Sequence, residues 1–133
     1  MDSFRFERTK RLLTAKDYQI VFASNQSFKD RDFLILVRKQ LLSEHIEISS
    51  DITLGVPRLG LAVSKKNFKR AVDRNLIKRV IRESFRLHQQ ALMGLDIVVM
   101  SRATTNVQDS KRLHQSLAHH WGQIIKATQD RAN

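Results

Sequence analysis

The sequence predicts a single α+β domain whose elements run α-β-β-β-α-β-α around a central, roughly four-stranded mixed sheet. Three observations carry that reading. Strand-type apolar runs (27–38, 59–64 and 96–100) alternate with stretches of helical period. Only four Gly and one Pro punctuate 133 residues. No repeat or low-complexity tract divides the chain, so 1–133 reads as one domain, with 1–12 and 128–133 as flexible ends.

The elements follow in order. Thr14-Ala15-Lys16-Asp17 has the hydroxyl cap and following acid of a helix start, and Tyr18, Val21 and Phe22 then share one face until Ser24-Asn25. Residues 27–38 read as strand in two parts, split by Asp30-Arg31-Asp32. Phe33, Ile35 and Val37 alternate with Leu34, Leu36 and Arg38, and two largely apolar faces argue for an interior strand. The Ser-rich stretch 40–57 is expected to be a variable loop. Leu59 to Ser64 is the clearest strand, with Leu59, Leu61 and Val63 on one side and Gly60, Ala62 and Ser64 on the other. That small-residue side either lets a ligand lie close to the sheet or lets another element pack tightly. A long helix is expected from about Phe68 to Gln90, a buried strand at Asp96–Met100, and a final helix from Asp109 or Ser110 to about Thr128. Leu113, Leu117, Trp121 and Ile124 form the core stripe of that last helix.

Charge is the outlier. The net charge is +11 and residues 58–90 alone carry +8, against +1 before them and +2 after. The basic residues of that segment are Arg58, Lys65, Lys66, Lys69, Arg70, Arg74, Lys78, Arg79, Arg82 and Arg86, opposed only by Asp73 and Glu83. A solvated helix face usually interleaves both signs, so this clustering points to a polyanion partner. On a helical wheel Val72, Leu76, Ile77, Val80, Ile81 and Phe85 form an apolar arc that also takes Asp73 and Glu83. Lys78, Arg82, Asn75, Arg86 and Arg79 lie opposite, with Arg74 at the edge. Four-residue steps rise ~6 Å, close to phosphate spacing along a strand, and guanidinium forks match phosphate oxygens. Lys65, Lys66, Lys69 and Arg70 sit where the strand turns into this helix, whose first turn adds partial positive charge. Tyr18 and Phe22 either belong to the core or offer faces for unpaired bases.

Other chemistries find little support. With no Cys, a disulfide scaffold, a thiolate zinc site and a Cys nucleophile are excluded. His45, His88, His114, His119 and His120 form no His-Glu-x-x-His pattern, and no Gly-rich phosphate loop or nucleophile elbow is present. No apolar run approaches the ~20 residues of a membrane span. The N-terminus, where charges alternate with Phe4 and Phe6, lacks an export signal, so a reducing cytoplasm is the expected location.

Gly60-Leu-Ala-Val-Ser-Lys-Lys-Asn67, followed by Lys69-Arg-Ala-Val-Asp-Arg-Asn-Leu-Ile-Lys-Arg-Val-Ile-Arg-Glu-Ser-Phe85, closely resembles the signature of the bacterial ribonuclease P protein subunit. The likeness extends to the aromatic first helix (Asp17–Phe22) and the late strand (Asp96–Met100). It implies a left-handed β-α-β crossover, where periodicity alone would give the usual right-handed one. It implies a protein that is inert alone and partners a catalytic RNA, which removes the 5′ leader of precursor tRNA with Mg²⁺ held mainly by RNA and substrate. Arg74, Asn75, Lys78, Arg79 and Arg82 match the family's basic helix motif, with Lys65, Lys66, Lys69, Arg70 and Arg86 beside it as RNA contacts. Tyr18 and Phe22 match the aromatic pair of a cleft for the single-stranded leader, which Leu36, Arg58, Gly60, Ala62 and Ser64 would complete. Two positions depart from the pattern: Leu76 stands where the motif usually has Arg, and Leu36 where some relatives have an aromatic. The expected assembly is one protein monomer per RNA, with no catalytic or metal-binding residue of its own and no DNA or membrane partner. The rival reading is a ribosomal-type structural RNA-binding protein. A helix-turn-helix DNA regulator would need a short helix pair and usually a dimer seam, and neither is present.

Overall fold

A computed structural model describes residues 15–23, 25–40 and 56–132. Its elements are α1 (Ala15–Ala23), β1 (Gln26–Lys29), β2 (Phe33–Lys39), β3 (Arg58–Ala62), α2 (Ala71–His88), a 3₁₀ turn (Gln89–Leu92), β4 (Leu95–Ser101) and α3 (Ser110–Ala132). This is the predicted order. The sheet runs β1-β2-β4-β3. β1 and β4 flank β2 antiparallel, while β3 pairs with β4 in parallel. α2 is therefore the crossover between adjacent parallel strands, and β2 is the interior strand its two apolar faces predict.

Period-two alternation divides the apolar residues between the two sheet faces. Phe33, Ile35, Val37, Leu59, Ile97 and Val99 pack against Ile77, Ile81 and Phe85 of α2 and Leu113, Leu117, Trp121 and Ile124 of α3, all buried. Trp121 is core, as its spacing with the leucines predicts; its Nε1 donates to the buried Ser84 Oγ at 2.8 Å. On the other face α1 alone among the described elements covers the sheet, where Val21 and Val98 are buried with Tyr18, Leu36 and Met100 around them.

Several boundaries move, each for a local reason. α2 begins at Ala71, not near Phe68, because the Arg74 guanidinium takes the carbonyls of Phe68 and Lys69 at 2.8 Å each. Those carbonyls would otherwise accept the next helical amides, and Phe68 instead turns its ring into the core. β3 ends at Ala62, before Ser64, because Ser64 starts a turn: its Oγ accepts from Lys66 N at 3.0 Å and its carbonyl from Phe68 N at 3.0 Å. Val72 leaves the apolar arc and is 57% exposed, and Glu83 is also exposed. Asp109 caps α3 through Oδ1 to Arg112 N at 3.0 Å. α3 runs past Thr128 to Ala132, with no Gly or Pro to stop it, and the Thr128 hydroxyl donates to the Ile124 carbonyl at 2.9 Å. Gln40 and Val56 anchor the two ends of the expected loop, since Gln40 Nε2 donates to the Val56 carbonyl at 2.8 Å. Residues 1–12, the Thr14 cap and residues 41–55 lie outside the described residues.

The Asp30-Arg31-Asp32 break between β1 and β2 is a lock. Asp30 Oδ1 accepts from the amides of Asp32 and Phe33 at 2.9 Å each, and Oδ2 from Ser116 Oγ of α3 at 2.5 Å. His120 Nε2, in a buried ring, stands 3.2 Å from Asp30 Oδ1. Buried Asp32 takes Arg112 Nε at 3.2 Å, and its carbonyl accepts from Thr105 Oγ1 at 2.5 Å. Arg102 and Thr104 donate to the Asp30 and Arg31 carbonyls. One short turn thus joins the hairpin to the β4–α3 connection and to α3.

This lock predicts a pH dependence. Partial burial pushes the Asp30 carboxyl up, but the bonds from Ser116, Phe33, His120 and Asp32 outweigh it and hold it at about 2, below the ordinary 3.8. The folded state favours the carboxylate, so the stabilisation is full above pH 3.8 and is lost as pH falls towards 2. Asp30→Asn should cost about 1–2 kcal/mol at neutral pH, discounted for partial exposure, and lose that difference in acid. Urea unfolding of both proteins at neutral pH and near the lower limit checks it.

Candidate nucleic-acid interface

The turn at Lys65–Asn67 and the outer side of α2 bring the cationic residues to one surface. Ser64 Oγ accepts from the Lys66 and Asn67 amides at 3.0 and 3.4 Å, so its hydroxyl shapes the turn that displays the lysines. Lys65, Lys66, Lys69, Arg70, Asn75, Arg79 and Arg82 are exposed, and Lys78 and Arg86 half-buried. Helical spacing sets Asn75, Arg79, Arg82 and Arg86 along the side of α2 away from Ile77, Ile81 and Phe85. Arg74 stands apart: it is half-buried and holds the entry turn through its Nη1. Two acids border this surface. Glu83 lies 3.7 Å from His114 of α3, and Asp73, mostly buried, stands 3.9 Å from Arg70.

The opposite face of the sheet carries the cleft residues in register. One cross-strand row is Leu36–Val98–Gly60 and the next is Leu34–Met100–Ala62. Tyr18 lies on Gly60 so closely that a Cβ there would stand 2.7 Å from Cε1 and 2.9 Å from the hydroxyl. The Tyr18 hydroxyl also accepts from Leu61 N at 3.1 Å and donates to Leu61 O at 3.4 Å. β3 is the edge strand of the described sheet, so these peptide groups have no ladder partner among the described residues on that side. The tight-packing reading of the small-residue side holds at Gly60, which admits a packed helix, while half-buried Ala62, Met100 and Leu34 continue beyond it. Val21, not Phe22, enters the core; Phe22 is 47% exposed, with its ring centroid 6.3 Å from that of Tyr18.

Arg58 takes a different part from the one expected. Its Nε and Nη2 bind Asp96 Oδ1 and Oδ2 at 2.8 and 2.7 Å, and Nη1 stands 3.7 Å from Asp17 of α1. Its charge is matched by carboxylates, and it fixes α1 over the sheet instead of adding a free cation to the cleft. The sequence does hold the signal for this, because a buried acid inside an apolar strand needs a partner. Leu34 and Met100 on the cleft face and Val72 on α2 are half-buried or exposed positions to which the sequence reading gives no binding role. Among the described residues no group of three or more His, Asp or Glu could hold a metal ion, and no helix is long and apolar enough to cross a membrane.

Comparison with known proteins agrees with this geometry. The Ribonuclease P family model matches residues 6–125. The ribonuclease P protein component of Chromohalobacter salexigens is 43% identical over 91% of this chain and 86% of its own length. That of Nitrosococcus oceani is 36% identical over 98% of this chain and 99% of its own. The RNase P protein of Staphylococcus aureus superposes with a TM-score of 0.67 at 28% identity, covering 88% of this chain and 95% of that one. The Thermotoga maritima RNase P protein gives 0.65 at 26% identity, over 84% and 94%. A four-stranded mixed sheet with a cationic crossover helix, matched along nearly its whole length by these relatives, places the chain in the ribonuclease P protein family, the protein components of a tRNA-processing endoribonuclease.

Proposed function

We propose that the α2 surface binds the RNA of ribonuclease P while the α1–sheet cleft holds the 5′ leader of precursor tRNA. The observation that carries this is the separation of the two surfaces: an exposed cationic row on the crossover helix, and an exposed Phe22 above a half-open sheet face. Phosphate contacts supply affinity and position without breaking bonds. Cleavage then belongs to the RNA, with Mg²⁺ held mainly by RNA and substrate, and the protein acts as one monomer per RNA in the cytoplasm. Lys65, Lys66, Lys69 and Arg70 extend the row at the entry to α2. Ala62 and Leu36 contribute to the cleft floor, Gly60 and Ser64 shape its edge, and Arg58 positions α1.

Reconstitution tests the reading directly. With a bacterial ribonuclease P RNA at low Mg²⁺, the protein should stimulate 5′ maturation of precursor tRNA, and without RNA it should produce none. Specific 5′ maturation by RNA-free protein would move the chemistry into the protein. Association with ribosomal subunits and no stimulation would favour the ribosomal-type reading.

Salt dependence separates the roles of the cations. Neutralising Lys78, Arg79 or Arg82 singly should lower the salt slope of RNA binding by about one. Arg74→Ala should in addition destabilise the fold by roughly 1.5–3 kcal/mol, because carbonyls bound to a charged donor lose their partner. Unchanged slopes in all these variants would point the row away from RNA. In the cleft, Phe22→Ala should weaken leader-bearing substrate more than mature tRNA, by about 1–3 kcal/mol, as read by equilibrium binding of the reconstituted complex. Equal weakening of both would assign Phe22 a purely structural part.

A further inference from the structure

The outer side of α2 is more than a cationic row. Arg70, Val72, Asp73, Asn75, Leu76, Arg79 and Arg82 line an open groove of ≈ 460 Å³, within the ~300–1,000 Å³ range of small-ligand clefts. Its composition does not suit phosphate alone. Val72 is 57% exposed in the middle of this cationic surface, and Leu76, packed on the core, leaves part of its side chain outside. Together they make an aliphatic floor. Asp73, a carboxylate that repels phosphate, faces the same groove beside the Asn75 carboxamide. Asn75 is exposed and has no side-chain hydrogen bond to a described residue, so its donor and acceptor are both available.

We infer that this groove receives one unpaired nucleobase bearing an exocyclic amino group, adenine or cytosine, from the partner RNA. The inference rests on the reading of α2 as the RNA-facing helix and adds a selective site to it. The flat face of a base covers Val72 and Leu76 and removes exposed apolar surface from water. The exocyclic amino group donates to the Asp73 carboxylate or the Asn75 carbonyl, and the Asn75 amide donates to a ring nitrogen, as Asn does when it reads adenine. Arg79 and Arg82 take the flanking phosphates or stack on the base as planar guanidinium groups. Uracil carries carbonyls where the amino group would be and sets them against the Asp73 carboxylate. The groove thus selects by base, which a row of cations alone does not do. The Arg74 bonds to the Phe68 and Lys69 carbonyls hold the first turn of α2, so the wall that carries Arg70 and Asp73 is built before RNA arrives.

The test uses the full-length chain and a bacterial ribonuclease P RNA transcript. Binding is titrated against salt, and at saturation dimethyl sulfate reports which unpaired adenines and cytosines the protein shields. The variants are Asn75→Ala and Val72→Ser, both at exposed positions, with Arg79→Ala as the phosphate reference. The expected result is at least one adenine or cytosine shielded by the unaltered protein and reactive with both groove variants. Their affinity falls about tenfold with the salt slope unchanged, and the remaining protections persist. Groove variants that match the unaltered protein in affinity and footprint, while Arg79→Ala binds more weakly, would overturn the base site and leave α2 as the RNA-binding face. If Arg79→Ala is also without effect, the assignment of α2 to RNA falls with it. A loss of salt slope in Asn75→Ala or Val72→Ser would likewise overturn the base site, because neither replaced side chain carries charge.

Discussion

Asp96 is the constraint on which the arrangement depends. It lies near the start of the interior strand β4 at 1% exposure, a carboxylate flanked by the buried Leu95, Ile97, Val98 and Val99. Such a charge is tolerable only when it is closely paired. The parallel register of β3 on β4 sets Arg58 directly opposite it, and both carboxylate oxygens receive the guanidinium fork. Gln40 Nε2 adds a third bond at 2.9 Å from the end of β2. Arg58 then reaches Asp17, so the position of α1 above the sheet follows from an ion pair within it. A one-residue slip of β3 would turn Arg58 to the other face and leave Asp96 without its main partner. The charge therefore specifies register, whatever its net effect on stability.

That register also decides what α1 can cover. α1 spans nine residues and lies over only part of its sheet face. Tyr18 seats it at Gly60, the one position in that row where the backbone leaves room, and the hydroxyl closes the free edge at Leu61. A longer helix, or a larger residue at 60, would remove the cleft by filling it or by lifting its wall. The other face is covered more fully. Two full helices with Trp121, Phe85 and Leu117 close it, and the Asp30–Ser116–His120 lock holds the hairpin to α3. One face of the sheet carries most of the core and the other is only partly covered by α1.

Much of this was legible in the chain. Alternation at 33–37 and 59–63, the α3 stripe and the charge focus between 58 and 90 describe the core, the element order and the cationic helix. The motif Lys-Arg-Ala-Val-Asp-Arg-Asn places the last of these in a family. What escaped depends on contacts between distant residues. Nothing local tells that Arg58 is matched by Asp96 and Asp17 across the fold, or that Arg74 binds carbonyls instead of pointing outward. A wheel places Val72 in the core because it counts angle alone, but Ala71 starts the helix and no described residue covers Val72 in its first turn. Gly94 at φ 82° similarly marks the turn into β4, where its carbonyl accepts Gln40 N at 2.8 Å. That pairing joins positions too far apart for local pattern to reveal.

The rigidity of the two surfaces bears on how a small protein can recognise a large polyanion. Flexible cations bind phosphate with little regard to geometry and lose side-chain freedom with each contact. Here α2 is packed on one side along its length, and its entry turn is fixed by Ser64 and Arg74, so the row Asn75, Arg79, Arg82 and Arg86 is set before any partner binds. The fold has met the ordering cost of the backbone, so the partner RNA meets a preset spacing along α2, while the exposed side chains still lose rotamer freedom on contact. The same argument applies to the cleft, where Tyr18 is held at both hydroxyl lone pair and proton while Phe22 stays exposed beside it. A rigid helix row and a half-open sheet cleft present two different kinds of surface, exposed cations on one and an exposed aromatic ring on the other. Because they lie on different sides of a single sheet, neither has to give way to the other.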